Sequence, residues 1–147
     1  MSGENEMKLE FDSRSCNEGF ARVSVAAFLT QLNPTLEEVA DVKTALSEAV
    51  TNAIIHGYEG EVKKIQITCR ISGQTIEVEV ADQGKGIEDV PKAMEPLFTT
   101  REDCERAGMG FSFMEAFMDT LEVISAPGEG TRVKMTKKIG RPGFPYE

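Results

Sequence analysis

Glu48, Asn52 and His56 recur at four-residue intervals in Glu48-Ala-Val-Thr-Asn-Ala-Ile-Ile-His-Gly57, a segment otherwise apolar enough for a core helix. Side chains at i, i+4 and i+8 share one helix face. A carboxylate, an amide and an imidazole on a stripe that should be buried are costly there unless something polar meets them. The chemistry indicated is ligand binding. Taken alone, the stripe also fits the solvated face of an ordinary amphipathic helix. The neighbours argue for close approach to another body: Ala45, Ala49 and Ala53 are small, and His56, the chain's only histidine, abuts a glycine break.

Asp82-Gln-Gly84-Lys-Gly86 follows a hydrophobic strand pattern. Glycines at Gly84 and Gly86 let backbone approach a ligand without Cβ interference, and the Asp82 carboxylate can accept from an exocyclic amine such as that of adenine. Gly108-Met109-Gly110, preceded by Arg106, opens a later helix. Backbone N–H groups at a helix start suit phosphate oxygens, and Arg106 can add a charge-assisted contact. Thr99 and Thr100 fall in a loop from which hydroxyls can reach phosphates. Each motif by itself also matches a plain turn or helix start.

The elements that must position these residues are legible from periodicity. Met7, Leu9 and Phe11 alternate with charged residues as in a first strand. A helix over about residues 17 to 32 carries Phe20, Val23, Ala27 and Phe28 at helical spacing and stops at Asn33-Pro34. Thr35 and Glu38 form a capping-box pattern for the next helix, which runs through the Glu48–Asn52–His56 stripe to Gly57. Ile65 to Ile71 and Ile76 to Val80 alternate around Ser72-Gly73-Gln74 as a hairpin. A short helix and loop are predicted for residues 87 to 100, a helix for about 111 to 119, and a second hairpin around Pro127-Gly-Glu-Gly130. This order predicts an α+β fold: a two-layer α/β sandwich with a mixed, mostly antiparallel sheet, helices on one face, and a lid in the long irregular stretch.

With 147 residues the chain is expected to form one domain, residues 1–139, with a flexible tail at 140–147. A net charge of -9 argues against direct nucleic-acid binding or an anionic membrane surface and favours a partner with basic regions. Cys16, Cys69 and Cys104 are widely spaced, so neither a disulfide framework nor a zinc site is expected. The polar, acidic N-terminus and the lack of about 20 consecutive apolar residues predict a cytoplasmic protein without a membrane segment.

Glu48-x3-Asn52, Asp82-x-Gly84-x-Gly86, Pro96-Leu-Phe98-Thr-Thr and Gly108-x-Gly110, in that order, resemble the four boxes of the ATP-binding fold shared by gyrase B, Hsp90, histidine kinases and MutL. Glu18-Gly-Phe20-Ala-Arg22, the Ser47–Tyr58 segment, Pro96–Thr100 and Gly108-Met-Gly-Phe111 further resemble the sporulation anti-sigma-F serine-protein kinases of spore-forming bacteria, over about residues 7 to 138. The resemblance implies homodimers that bind ATP and Mg2+, inhibit a sporulation sigma factor, and phosphorylate a serine of an anti-anti-sigma factor. Carried over by position, Glu48 is the catalytic base, Asn52 the Mg2+ ligand and Asp82 the adenine acceptor. Gly84, Gly86, Thr99, Thr100, Arg106, Gly108, Met109, Gly110 and Thr131 complete the nucleotide site, and Arg22 binds the partner. A base, one Mg2+ and phosphate-binding amides are the minimum equipment for phosphoryl transfer. Three departures from the family pattern touch loops only: a short connector at residues 58–64, Ala107 where serine is expected, and an unmatched tail after Lys138.

Rival readings stay open. A histidine kinase is disfavoured because His56 lies inside the ATP-binding helix rather than on a separate dimerisation helix. A nucleotide-dependent binding module without significant kinase activity, and an anti-sigma kinase of a stress regulon, share the same boxes.

Overall fold

Residues 4–94 and 110–140 are described by the structure, a computed structural model. β1 (Asn5–Asp12) leads through a polar turn to α1 (Asn17–Leu29), whose end tightens into a 3-10 turn at Thr30–Leu32. Asn33, at φ 54°, then reverses the chain into Pro34. α2 (Leu36–Asn52) begins at the expected capping box: Thr35 accepts from the Glu38 N–H at 3.0 Å, and the Glu38 carboxylate accepts from the Thr35 N–H at 2.9 Å. Two N–H groups with no intrahelical partner are satisfied this way.

β2 (Lys64–Ser72) and β3 (Thr75–Asp82) form the predicted hairpin, with Gly73 at φ +61° in the first turn position. α3 (Val90–Ala93) is a single turn, and α4 (Phe111–Phe117) starts at Gly110. β4 (Thr120–Ser125) and β5 (Thr131–Lys138) close the described chain. The sheet order is β1-β2-β3-β5-β4 and all four pairings are antiparallel.

One sheet face is apolar because the alternation has period two. Ile65, Ile67, Cys69 and Ile71 of β2, with Ile76, Val78 and Val80 of β3, are buried under α1 and α2. Burial pushes the Cys69 thiol up to about 12, so it packs as an apolar side chain. The opposite face carries charged side chains: Arg70 meets Glu6 at 2.7 Å and also Glu77 and Glu79. Such exposed pairs contribute little each, and they leave the helices confined to the apolar face.

α1 presents a different face to the core from the one expected. Ala21, Val25 and Leu29 are fully buried, whereas Phe20 and Val23 are 58% and 62% exposed. The helix is apolar around most of its circumference, so spacing alone selects no face. The small Ala21 faces inward, and the bulkier Phe20 faces out.

Candidate functional site

α2 does not continue as an α-helix to Gly57. From Ala53 to Gly57 it widens into a single π-turn, a distortion frequent at functional sites. Glu48 and Asn52 therefore keep their one-turn relation, while His56 is rotated relative to an ideal i+8 position. Asn52 and His56 line a cleft together with Asp82, Gly86 and Thr131, over an apolar wall of Ala49, Ala53, Ile87 and Phe111. The family resemblance implies that Asn52, Asp82, Gly86 and Thr131 share a nucleotide site, and the fold brings these four residues to one cleft.

Asp82 ends β3 and is only 8% exposed. Burial raises its carboxyl above the ordinary range, opposed by hydrogen bonds that it accepts from the N–H groups of Gly84, at 2.8 Å, and Thr131. Thr131 is its cross-strand partner on β5, so the sheet register fixes their proximity. The side chain is thus anchored on the protein side while lining the cleft.

The glycines around Asp82 serve backbone packing. A Cβ on Gly84 would overlap the Gly57 carbonyl, one on Gly86 would overlap the Ala126 carbonyl, and one on Gly130 would overlap the Asp82 carbonyl. The Lys85 N–H donates to that Gly57 carbonyl at 3.0 Å, tying the loop to the end of the π-turn. The sequence expectation gave Gly84 and Gly86 to ligand approach; their nearest neighbours are other parts of the chain. They bring the Asp82 loop, the π-turn and the β4–β5 turn into contact, which shapes the cleft.

Glu48 lies at the other end of the site. A Cβ on Gly110, the left-handed residue that starts α4, would overlap the Glu48 carboxylate. The last glycine of the phosphate-type motif and the candidate base are therefore adjacent. Burial, reinforced by the Glu18 carboxylate, raises the Glu48 carboxyl above the usual range, which strengthens it as a proton acceptor. Arg22 of α1 donates to Glu18 at 3.1 Å and to the Ser47 hydroxyl at 3.4 Å, so the partner-binding candidate abuts the residue before Glu48. Thr99, Thr100, Arg106, Gly108 and Met109 lie outside the described residues.

His56 is half-buried. Burial and, secondarily, Lys85 lower its imidazole below the usual value, while Glu59 opposes them; Lys85 itself pairs with Glu59 at 2.9 Å. The neutral ring is suited to a cleft wall.

Two residues that sequence reasoning passed over hold this region in place. The buried Tyr58 hydroxyl donates to the Lys64 carbonyl at 2.5 Å and accepts from the Gln83 N–H at 2.7 Å, bracing the Asp82 turn against the start of β2. Ser125 accepts from the Ile87 N–H at 2.8 Å and donates to the Gly130 carbonyl at 2.9 Å. A tyrosine directly after the glycine break was the available signal for the first; for the second the sequence held none.

Asn52 offers one neutral oxygen, and among the described residues no group of three or more His, Cys, Asp or Glu side chains is arranged to hold a metal. This donor set fits Mg2+, which takes one or two protein oxygens and draws the rest from phosphates and water. No helix among the described residues is long and apolar enough to cross a membrane.

The profile of the histidine kinase-like ATPase domain matches residues 14–137. An anti-sigma F factor of Thermoanaerobacter sp. (strain X514) is 64% identical over 136 residues, covering 92% of this chain and 95% of that protein. Those of Clostridium botulinum (strain Eklund 17B / Type B) and Oceanobacillus iheyensis are 60% and 53% identical, covering 92% and 93% of this chain and 96% and 94% of theirs. Among solved structures, the RsbU and RsbW domains of a Mycobacterium tuberculosis protein superpose with a TM-score of 0.68 at 20% identity, over 94% of this chain and 33% of that one. The catalytic domain of the histidine kinase ThkA gives 0.53 at 18% identity, over 90% and 96%. These two likenesses bear on the fold.

Proposed function

The chain belongs to the anti-sigma F factors of the histidine kinase-like ATPase domain family, and from that premise we propose that it binds and inhibits a sporulation sigma factor and transfers phosphate from ATP to a serine of an anti-anti-sigma factor. The observation that carries the kinase reading is the placement of Glu48: its carboxyl is raised by burial and by Glu18, and it sits against Gly110 one helical turn before Asn52.

In this reading Asp82 and Thr131 receive the adenine end of the nucleotide, with Gly84 and Gly86 holding the loop that frames it. Asn52 supplies an oxygen ligand to Mg2+. When bound, Mg2+ and ATP supply the phosphoryl group and the neutralisation of its charge. Glu48 would accept the proton of the substrate serine as that hydroxyl oxygen bonds to the γ-phosphorus and the bond from that phosphorus to the bridging oxygen of the departing ADP breaks. Thr99, Thr100, Arg106, Gly108, Met109 and Gly110 belong to the phosphate end. Arg22, beside Ser47, is where a protein partner meets the site, and a homodimer acting in the cytoplasm is part of the same proposal.

The test is incubation of the full chain with labelled ATP, Mg2+ and the anti-anti-sigma protein, with mapping of any phosphoserine. Glu48→Ala is expected to bind ATP nearly as wild type and to lose phosphotransfer by at least ~100-fold, the size of general-base removal. Transfer at the wild-type rate would refute the assigned base. ATP-dependent partner binding without phosphoserine in the wild-type chain would establish the non-catalytic binding module instead.

A further inference from the structure

Asp82 of β3, Thr131 of β5 and Ser125 of β4 are register partners, Asp82 opposite Thr131 and Thr131 opposite Ser125. Residues directly opposite each other on antiparallel strands project to the same face, so the three side chains form one row across the sheet. Asp82 and Thr131 line the cleft, and Ser125 stands behind them at the end of the row. The Ser125 hydroxyl donates to the Gly130 carbonyl at 2.9 Å, accepts from the Ile87 N–H at 2.8 Å, and lies 2.8 Å from the Thr131 hydroxyl.

Those three contacts fix where the protons are. A serine hydroxyl has one proton and two lone pairs. The Gly130 carbonyl can only accept, so it takes the Ser125 proton; the Ile87 N–H can only donate, so it takes one lone pair. What is left for Thr131 is the second lone pair. The Thr131 hydroxyl therefore donates to Ser125, and its single proton is spent there. Toward the cleft Thr131 has only lone pairs to offer. Asp82 beside it, when ionised, is likewise acceptor-only, and its position is held by the Gly84 N–H at 2.8 Å. The sheet side of the cleft is thus a row of acceptors, a surface that fits a base bearing an amine.

We propose that Ser125 is a specificity-determining positioning residue: by holding the Thr131 hydroxyl as an acceptor, it makes the cleft select a purine with an amine at C6 over one with a carbonyl there. This rests on the reading of Asp82 and Thr131 as the adenine end of the site. Ser125 acts through Thr131. A carbonyl brought against this row meets acceptors and goes unpaired, which is how a hydrogen-bonding site rejects the wrong group. Without the Ser125 hydroxyl, the Thr131 hydroxyl is free to turn and donate, and a C6 carbonyl gains the partner it lacked.

The experiment is calorimetric titration of the full chain with Mg2+–ADP and with Mg2+–IDP, the inosine nucleotide, whose base carries a carbonyl at C6 and a proton at N1. Wild type is expected to bind ADP at least ~10-fold more tightly than IDP. Ser125→Ala is expected to lower the ratio of the two Kd values by about three- to tenfold, the size of one hydrogen bond. Ser125→Thr, which keeps the hydroxyl, is expected to restore the wild-type ratio. Thr131→Val removes the acceptor itself and is expected to lower the ratio as well, and Ser125→Ala added to it is expected to change the ratio no further. A Ser125→Ala chain that weakens both nucleotides equally has lost only packing at Gly130 and Ile87, and that overturns the proposal. So does a Thr131→Val ratio that stays or rises, a result that stands whether or not Ser125→Ala folds. Failure of the adenine reading looks different: wild type then binds ADP and IDP alike, and Asp82→Asn leaves both affinities in place.

Discussion

Replacing Gly57 by alanine probes the proposed adenine end of the cleft through a residue that contributes no side chain to it. The Cβ would stand 2.9 Å from Asp82 Oδ1, 3.0 Å from its Cγ and 3.1 Å from Oδ2, all inside ordinary carbon–oxygen contact. Backbone strain is not the issue, because Gly57 is not among the residues with positive φ. The carboxylate must instead shift by a few tenths of an ångström, and it is short, buried and held by the Gly84 N–H at 2.8 Å. Overpacking of this kind costs about 1–3 kcal/mol. Against it stands the gain from removing a glycine from helical backbone, up to about 1 kcal/mol. The net expectation is a destabilisation of about 1 kcal/mol, or a Tm lower by roughly 2–4 °C in a chain of this size. ATP affinity should suffer more: a displaced Asp82 would lose the proposed hydrogen bond to adenine, about 1.5 kcal/mol, which is roughly a tenfold weaker Kd. Calorimetric titration with Mg2+–ATP and thermal unfolding measure the two effects. Asp82→Asn on top of Gly57→Ala should add little further loss, since both act on one contact. Wild-type ATP affinity in a folded Gly57→Ala chain would refute the assignment of Asp82 to the nucleotide.

Two further predictions follow from the same neighbourhood. Tyr58→Phe removes both hydrogen bonds of the buried hydroxyl, to the Gln83 N–H and the Lys64 carbonyl, and should lower stability by about 0.5–1.5 kcal/mol, measured by urea unfolding; an unchanged midpoint would show that the hydroxyl does not brace the turn. Burial raises the folded-state Asp82 carboxyl above the ordinary aspartate value, so its contribution to stability is fully present below that ordinary value and is lost as pH rises through the folded value. Wild type should therefore lose stability relative to Asp82→Asn as pH rises above the ordinary carboxylate range of about 4, and a difference that does not change with pH in urea melts would contradict the raised carboxyl.

The parts of the fold that the sequence made legible are those governed by neighbours along the chain. The capping box at Thr35 and Glu38, the break at Asn33-Pro34, the hairpin at Gly73 and the alternation of Ile65, Ile67, Cys69 and Ile71 each express a local rule and recur in the structure as read. α1 shows where such rules fail. With apolar residues on nearly every side, its buried face was set by what it packs against, and Phe20 and Val23 were left outside while Ala21 was enclosed.

The site divides in the same way. Residue types and their order made the four short boxes legible, each read within a single element, and their resemblance to the ATP-binding fold is what proposed Glu48, Asn52 and Asp82 for one site. Only the tertiary structure decided that Gly84, Gly86 and Gly130 serve contacts of backbone with backbone, that Tyr58 and Ser125 brace the loops, and that Arg22 joins Glu18 to Ser47, the residue before Glu48. The physical reason is distance along the chain. Gly57 and Gly84, or Glu18 and Glu48, are separated by about a helix or a hairpin of sequence, and what places them together is the packing of α1 on α2 and the register of β3 on β5, which no local periodicity encodes.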